Sequence, residues 1–226
     1  MKILEEIIAT LDPAAAVREA CIGPFDTAVL SARWGISTTF RDDCASGGPA
    51  GVRGAGELIG RPALEIARLA LSDRLLEASL GMAAVNSLLD PGRLALREVN
   101  ASRLIAEKGR GKNVAVVGCF PFLDSLRGVA KNLWVVSRPP GEGKEGVREA
   151  ERVLPRADVV AITASSFINH TAADLLALCP RAYTVVLGPT TPLSPVLLRH
   201  PKQPRQDRLL RVQAVFGLVE DDGLRA

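Results

Sequence analysis

The chain has 226 residues, 47% of them hydrophobic and 23% charged, with a formal net charge of +3. This is ordinary globular usage, which excludes a chain dominated by disorder, and the length suits two small domains. Aromatic residues are only 4%, so the core must be built from Leu, Val, Ile and Ala, as suits the buried strands of a parallel sheet.

Lys2 to Leu11 carries Ile3, Leu4, Ile7, Ile8 and Leu11 at helical spacing, so an amphipathic helix opens the chain and Asp12-Pro13 stops it. The start MKILEEIIATLD has acidic residues where a signal peptide needs an apolar run, and later apolar stretches are short and interrupted. A cytoplasmic protein without membrane contact is expected. Val17–Ile22, Thr27–Ala32 and Ile36–Phe40 are β-prone, and Gly23 to Asp26 and Trp34-Gly35 supply turns, which predicts a three-stranded antiparallel meander.

Arg41 to Gly60 holds six glycines and almost no large apolar residue, as expected of a long mobile loop. Pro62 opens a helix through Leu71, Ser72 is placed to cap a second from Asp73 to Leu89, and Asp90-Pro91-Gly92 ends the pair. Arg93 to Gly111 reads as a partly helical connection between domains.

The pattern then switches. Asn113 to Gly118, Leu133 to Ser137, Asp158 to Thr163 and Tyr183 to Gly188 are short apolar runs. Helical stretches separate them at Phe122–Ala130, Val147–Leu154 and Thr171–Leu178, and Val212–Val219 reads as a last strand. The alternation predicts βαβ units and a Rossmann-like, doubly wound parallel sheet. The fold class is therefore α/β, with a small α+β domain over residues 1–100 and the parallel sheet over 101–226.

In such sheets ligands bind outside the carboxyl ends of the strands. At the first end, Gly118-Cys119-Phe120-Pro121, glycine permits close backbone approach, but no second glycine follows until Gly128, which disfavours a dinucleotide loop. The second ends at Ser137-Arg138, where a ribose-binding acid would normally stand. The third offers Thr163, Ser165 and Ser166, then Asn169, His170 and Thr171, either as helix caps or as ligand contacts; His170 reads as an exposed residue at the helix start. The fourth, Gly188-Pro189-Thr190-Thr191-Pro192-Leu193-Ser194-Pro195, is a rigid loop expected to display hydroxyls and N–H groups at fixed positions. Gly81 to Asn86 puts small residues on a helix face for close packing, with Asn86 either a satisfied interface amide or a ligand contact.

Four cysteines, Cys21, Cys44, Cys119 and Cys179, are scattered, without zinc-finger spacing, and are expected to be reduced. Cys44, beside Asp42 and Asp43, is a soft-metal candidate, though a plain loop cysteine is the favoured reading. The basic stretch from Arg199 to Arg211 lacks interleaved aromatics, so it reads as a solvated loop and no nucleic-acid partner is expected. Asp124 and His170 are modest acid–base candidates, and no catalytic motif is present, which leaves enzymatic activity open.

Four runs carry a family resemblance: Gly81 to Ser87, Val117 to Pro121, Leu154 to Val160, and Gly188 to Pro195. Through them nearly the whole chain resembles a family of prokaryotic proteins described by heavy-metal chelation. The resemblance implies an enolase-N-terminal-like first domain, a Rossmann-like second domain and a ligand site at their junction. It also implies a role in metal chelation, or in making or breaking pterin-, flavin- or siderophore-like chelators. By position its site residues fall on Asn86, Gly118, Phe120, Pro121, Thr163, Asn169, Thr171, Gly188, Thr190 and Thr191. Ser137-Arg138 departs from the family pattern, which has a Glu near that strand end.

The leading expectation is thus a small anionic, metal-chelating ligand in the interdomain cleft. A metal ion or metal chelate would be the cofactor, and a homodimer is compatible with the composition. The alternatives are an S-adenosylmethionine-dependent methyltransferase, resting on fold analogy alone, and direct metal binding by thiols.

Overall fold

A computed structural model describes residues 2–40, 51–93, 99–136, 145–197 and 211–213. The opening helix α1 (Lys2–Ile8) buries Ile3, Leu4, Ile7 and Ile8, the face its periodicity defines. The meander follows as β1 (Glu19–Ile22), β2 (Asp26–Leu30) and β3 (Trp34–Thr38), antiparallel in that order. Trp34-Gly35 is not a turn as expected but the start of β3, with Gly35 paired to Val29. The reason is packing. A Cβ on Gly35 would stand 2.1 Å from the Ala83 carbonyl oxygen and 2.2 Å from the Ser87 nitrogen, so helix and strand backbones touch there.

Both touched residues belong to α3 (Leu75–Leu88), the central helix of this half, buried from Glu77 through Val85. A helix apolar all round belongs inside a core. Before it, α2 (Ala63–Ala67) runs into a 3-10 turn at Arg68–Leu71. Gly81 of α3 lies against that turn, since its Cβ would be 1.9 Å from the Ala70 nitrogen, and the small-residue face expected for this helix is thereby observed.

Arg74, rather than Ser72, occupies the N-cap position of α3 and makes no side-chain cap bond; Ser72 Oγ accepts from the Arg74 N–H at 3.2 Å and its hydroxyl donates to Glu77 Oε2 at 2.8 Å. Of the glycine-rich stretch, residues 41–50 lie outside the described residues. The remainder is more anchored than its composition suggested: Val52 and Leu58 are buried, and Ala55–Glu57 forms a 3-10 turn.

The second half opens with α4 (Ala101–Gly109), where Asn100 Oδ1 accepts from the Arg103 N–H at 3.1 Å. This segment is more than a connection, because Ala101 and Ile105 are buried in an apolar layer with Val114, Val116, Val159 and Val185. Then come β4 (Asn113–Val117), α5 (Leu123–Arg127), β5 (Asn132–Val136), α6 (Glu145–Val153), β6 (Val159–Thr163), α7 (Ala172–Ala177), β7 (Tyr183–Leu187) and β8 (Arg211–Gln213). The five strands lie in the order β5-β4-β6-β7-β8 and every pairing is parallel. The fold is α/β, with an antiparallel and a parallel sheet.

Alternate residues of each inner strand feed two apolar layers. Val114 and Val116 join α4 and Leu126 of α5, while Ala115 and Val117 join α6, α7 and the whole core of the first half. One apolar core therefore runs from α1 through α3 to the second sheet. Among the described residues, no helix is long and apolar enough to cross a membrane.

Candidate functional site

The strand order fixes where a crevice can open. The chain moves from β4 outward to β5, then returns past β4 to β6, so the connections leave the sheet on opposite sides between β4 and β6. This reversal is the switch point at which open α/β sheets take ligands.

At that point β4 ends in Gly118, with φ +114°, a conformation reserved for glycine. A Cβ there would stand 3.0 Å from Cβ and Cγ2 of Thr163, at the end of β6. The Gly118 N–H donates to the Val136 carbonyl at 2.9 Å, keeping the turn on the sheet. Next come an exposed Cys119, a half-buried Phe120 and an exposed Pro121. Among the described residues, no acceptor reaches the backbone N–H groups of Cys119 and Phe120. Phe120 stacks on Phe122 with ring centroids 5.2 Å apart.

On the β6 side, Thr163 Oγ1 lies 2.8 Å from Ser165 Oγ and accepts weakly from the Ser165 N–H at 3.4 Å. The buried Ser166 hydroxyl has no partner among the described residues. Asn169 Oδ1 accepts from the Thr171 N–H at 3.3 Å and from its hydroxyl at 2.7 Å, a local turn that fixes both side chains. Thr171 stands at the N-cap position of α7 but makes no side-chain cap bond.

His170 is not the exposed helix-start residue expected. It is half-buried at φ +59°, and its Nε2 lies 2.9 Å from the Ala70 carbonyl, tying α7 to the turn against which Gly81 packs. Asp124 is exposed and paired with Arg127 at 3.2 Å.

The β7 end differs. Gly188 repeats the glycine geometry at φ +120°. Thr190 and Thr191, however, are buried and their oxygens face the protein. Thr190 Oγ1 accepts from the Thr38 N–H at 2.9 Å, and Thr191 Oγ1 donates to the Gly188 carbonyl at 2.7 Å. Asn86 Nδ2 donates to the carbonyls of Ile36 at 2.9 Å and Pro189 at 3.2 Å. Of the ten residues expected at the site, Gly118, Phe120, Pro121, Thr163, Asn169 and Thr171 thus lie on the β4 and β6 ends. Asn86, Gly188, Thr190 and Thr191 gather at the junction of the two halves.

Sequence reasoning passed over the most connected carboxylate among the described residues. Glu77 has a fully buried side chain that receives Arg53 Nε at 3.0 Å, Arg53 Nη2 at 3.1 Å, the Arg53 N–H at 3.2 Å, Arg74 Nη1 at 3.0 Å and Ser72. Hydrogen bonding from Arg53 outweighs desolvation and lowers its pKa to about 2. The signal was present in the sequence, as a single charge in the otherwise uncharged run from Leu75 to Leu88.

Burial pushes the Cys179 thiol up to about 12, whereas Cys21 and Cys119 are exposed. Among the described residues, no three His, Cys, Asp or Glu side chains gather as a metal cluster. Cys44 with Asp42 and Asp43, Ser137-Arg138, and the basic stretch up to Leu210 lie outside the described residues.

Comparisons with known proteins agree on both halves. Residues 4–89 match the family model DUF4213 and residues 100–203 match DUF364, both described as "Putative heavy-metal chelation". A solved structure from Desulfitobacterium hafniense, a DUF364-family protein of unknown function, is similar at a TM-score of 0.74 and 27% identity, covering 88% of this chain and 82% of that one. A second, from Pyrococcus horikoshii and described in the same terms, shares the fold at a TM-score of 0.67 and 22% identity, covering 89% and 83%. No curated protein matches the chain.

Proposed function

Because the chain belongs to the family described as "Putative heavy-metal chelation", we propose that it binds or processes a small anionic, metal-chelating molecule, pterin-, flavin- or siderophore-like, at the β4–β6 switch point. The expected position at the groove between the halves moves with this reading, because Asn86, Thr190 and Thr191 already bond to the protein itself.

The observation that carries the reading is the pair of N–H groups at Cys119 and Phe120, unpaired among the described residues and following the positive-φ Gly118 at the end of β4. Consecutive outward N–H groups suit an anion. The Phe120 ring offers an apolar surface beside them, and the Thr163–Ser165 hydroxyls and the Asn169 amide can meet polar edges. The buried Ser166 hydroxyl, without a partner among the described residues, is a further polar group available near the end of β6. A metal would arrive as part of the chelate. Among the described residues, neither the methyltransferase reading nor the direct thiol reading has a structural observation of its own.

Native mass spectrometry and element analysis of the purified protein test the proposal. Wild type is expected to retain an anionic small molecule or its metal chelate. Gly118→Ala, which adds a Cβ at a positive φ and 3.0 Å from Thr163, is expected to lose it while staying folded. Equal retention by both proteins, or a ligand-free wild type isolated from cells supplied with metal, would overturn the assignment.

A further inference from the structure

On the open edge of β3, one outward donor and one outward acceptor are taken up by other elements of the chain. The Thr39 N–H donates to the Phe25 carbonyl at 2.7 Å and the Ser31 N–H to the Arg33 carbonyl at 3.1 Å, so the odd residues of this strand face β2. Its even residues, Trp34, Ile36 and Thr38, therefore turn their backbone groups outward. An edge left in this state is a template for pairing with another strand.

Among the described residues, no strand completes it. The Ile36 carbonyl accepts from Asn86 Nδ2 and the Thr38 N–H donates to Thr190 Oγ1, both at 2.9 Å. The same Asn86 amide reaches the Pro189 carbonyl at 3.2 Å. The four groups close a ring through β3, α3 and the loop after β7. Pro189 and Pro192 fix φ on either side, and the Thr191 N–H donates to Gly188 at 3.1 Å, so the loop presents Thr190 from a stiff frame.

We infer that residues 188–191 are a strap coupling the two sheets: with Asn86 they cover the Ile36–Thr38 part of the β3 edge alongside the shared apolar core, and they free that part of the edge when displaced. The inference stands on backbone and side-chain geometry and does not depend on the ligand reading.

Hydrogen exchange at the Thr38 amide reads the strap directly. Thr190→Val keeps the shape and removes the acceptor. It is expected to speed exchange at Thr38 about tenfold, the loss of one hydrogen bond, with the Val114–Val117 amides unchanged. Thr190→Ser is expected to restore the wild-type rate. If the valine variant gives no folded protein, Asn86→Ala, read at the same amide, decides in the same way. Wild-type protection of Thr38 in the variant, or equal acceleration across β4, would overturn the strap.

Discussion

Two strand ends of the second sheet begin alike and finish differently. Gly118 after β4 and Gly188 after β7 adopt φ +114° and +120°, and each lies against the residues that end β6. Beyond Gly118 the chain leaves two N–H groups unpaired among the described residues, an exposed thiol and a half-buried ring. Beyond Gly188 the Thr190 and Thr191 hydroxyls and the Pro189 carbonyl all bond within the protein. The richer display of side-chain oxygens is thus at the closed end. A binding site is better recognised by polar groups that lack partners than by polar groups that are present.

The largest effects should fall on the closed end, because it depends on backbone contact between the first sheet and α3. Gly35→Ala would drive a Cβ into backbone atoms at 2.1 and 2.2 Å. A loss above about 4 kcal/mol is expected, enough to leave little folded protein, as circular dichroism and soluble yield would report. Gly118→Ala at the open end meets only side-chain atoms of Thr163 at 3.0 Å and a positive φ, so about 1–3 kcal/mol is expected and the fold should survive. If the two variants unfolded alike, the distinction between a structural and a functional glycine would collapse.

Glu77 comes next, at the far end of the helix that carries Asn86. Its carboxylate holds Arg53 and Arg74, and Arg74 also reaches the Gly51 carbonyl, so it pins the segment from Gly51 onward to α3. Its folded pKa of about 2 lies below its ordinary 4.5. Its contribution is therefore complete above about pH 4.5 and is lost as pH falls towards about 2. Glu77→Gln removes the charge to which Arg53, Arg74 and Ser72 donate and should lower stability at neutral pH, by less than Gly35→Ala because both arginines keep access to solvent. It should also flatten the acid limb of a stability-against-pH curve measured by urea melts. An unchanged acid limb would show that other carboxylates govern acid unfolding.

The architecture was legible because its signals are local. Apolar runs of strand length alternating with helical stretches, and three β-prone segments separated by turns, are visible in a single chain. The burial of Val52 and Leu58 and the strand role of Gly35 were not, since each depends on packing against elements distant in sequence. The candidate site follows the same division. The strand ends at Gly118, Thr163 and Gly188 could be read, but their order across the sheet could not. Only that order separates the switch point from the junction. Thr190 drew attention as a hydroxyl between prolines. Its partner, the Thr38 amide, lies 152 positions away, and no local pattern points to it.

The smallest effect concerns reactivity rather than stability. Cys119 at the open end is exposed, whereas Cys179 is buried and its thiol pushed up to about 12, leaving almost no thiolate at neutral pH. Brief alkylation of the native protein should therefore modify Cys119, with the exposed Cys21 as an internal reference, and spare Cys179 until urea unfolds the chain. The melting temperature should be unchanged, because Cys119 is not part of the buried core. If Cys119 resisted alkylation as strongly as Cys179, the end of β4 would be covered in solution. Both strand ends would then be closed, and the comparison would lose its open member.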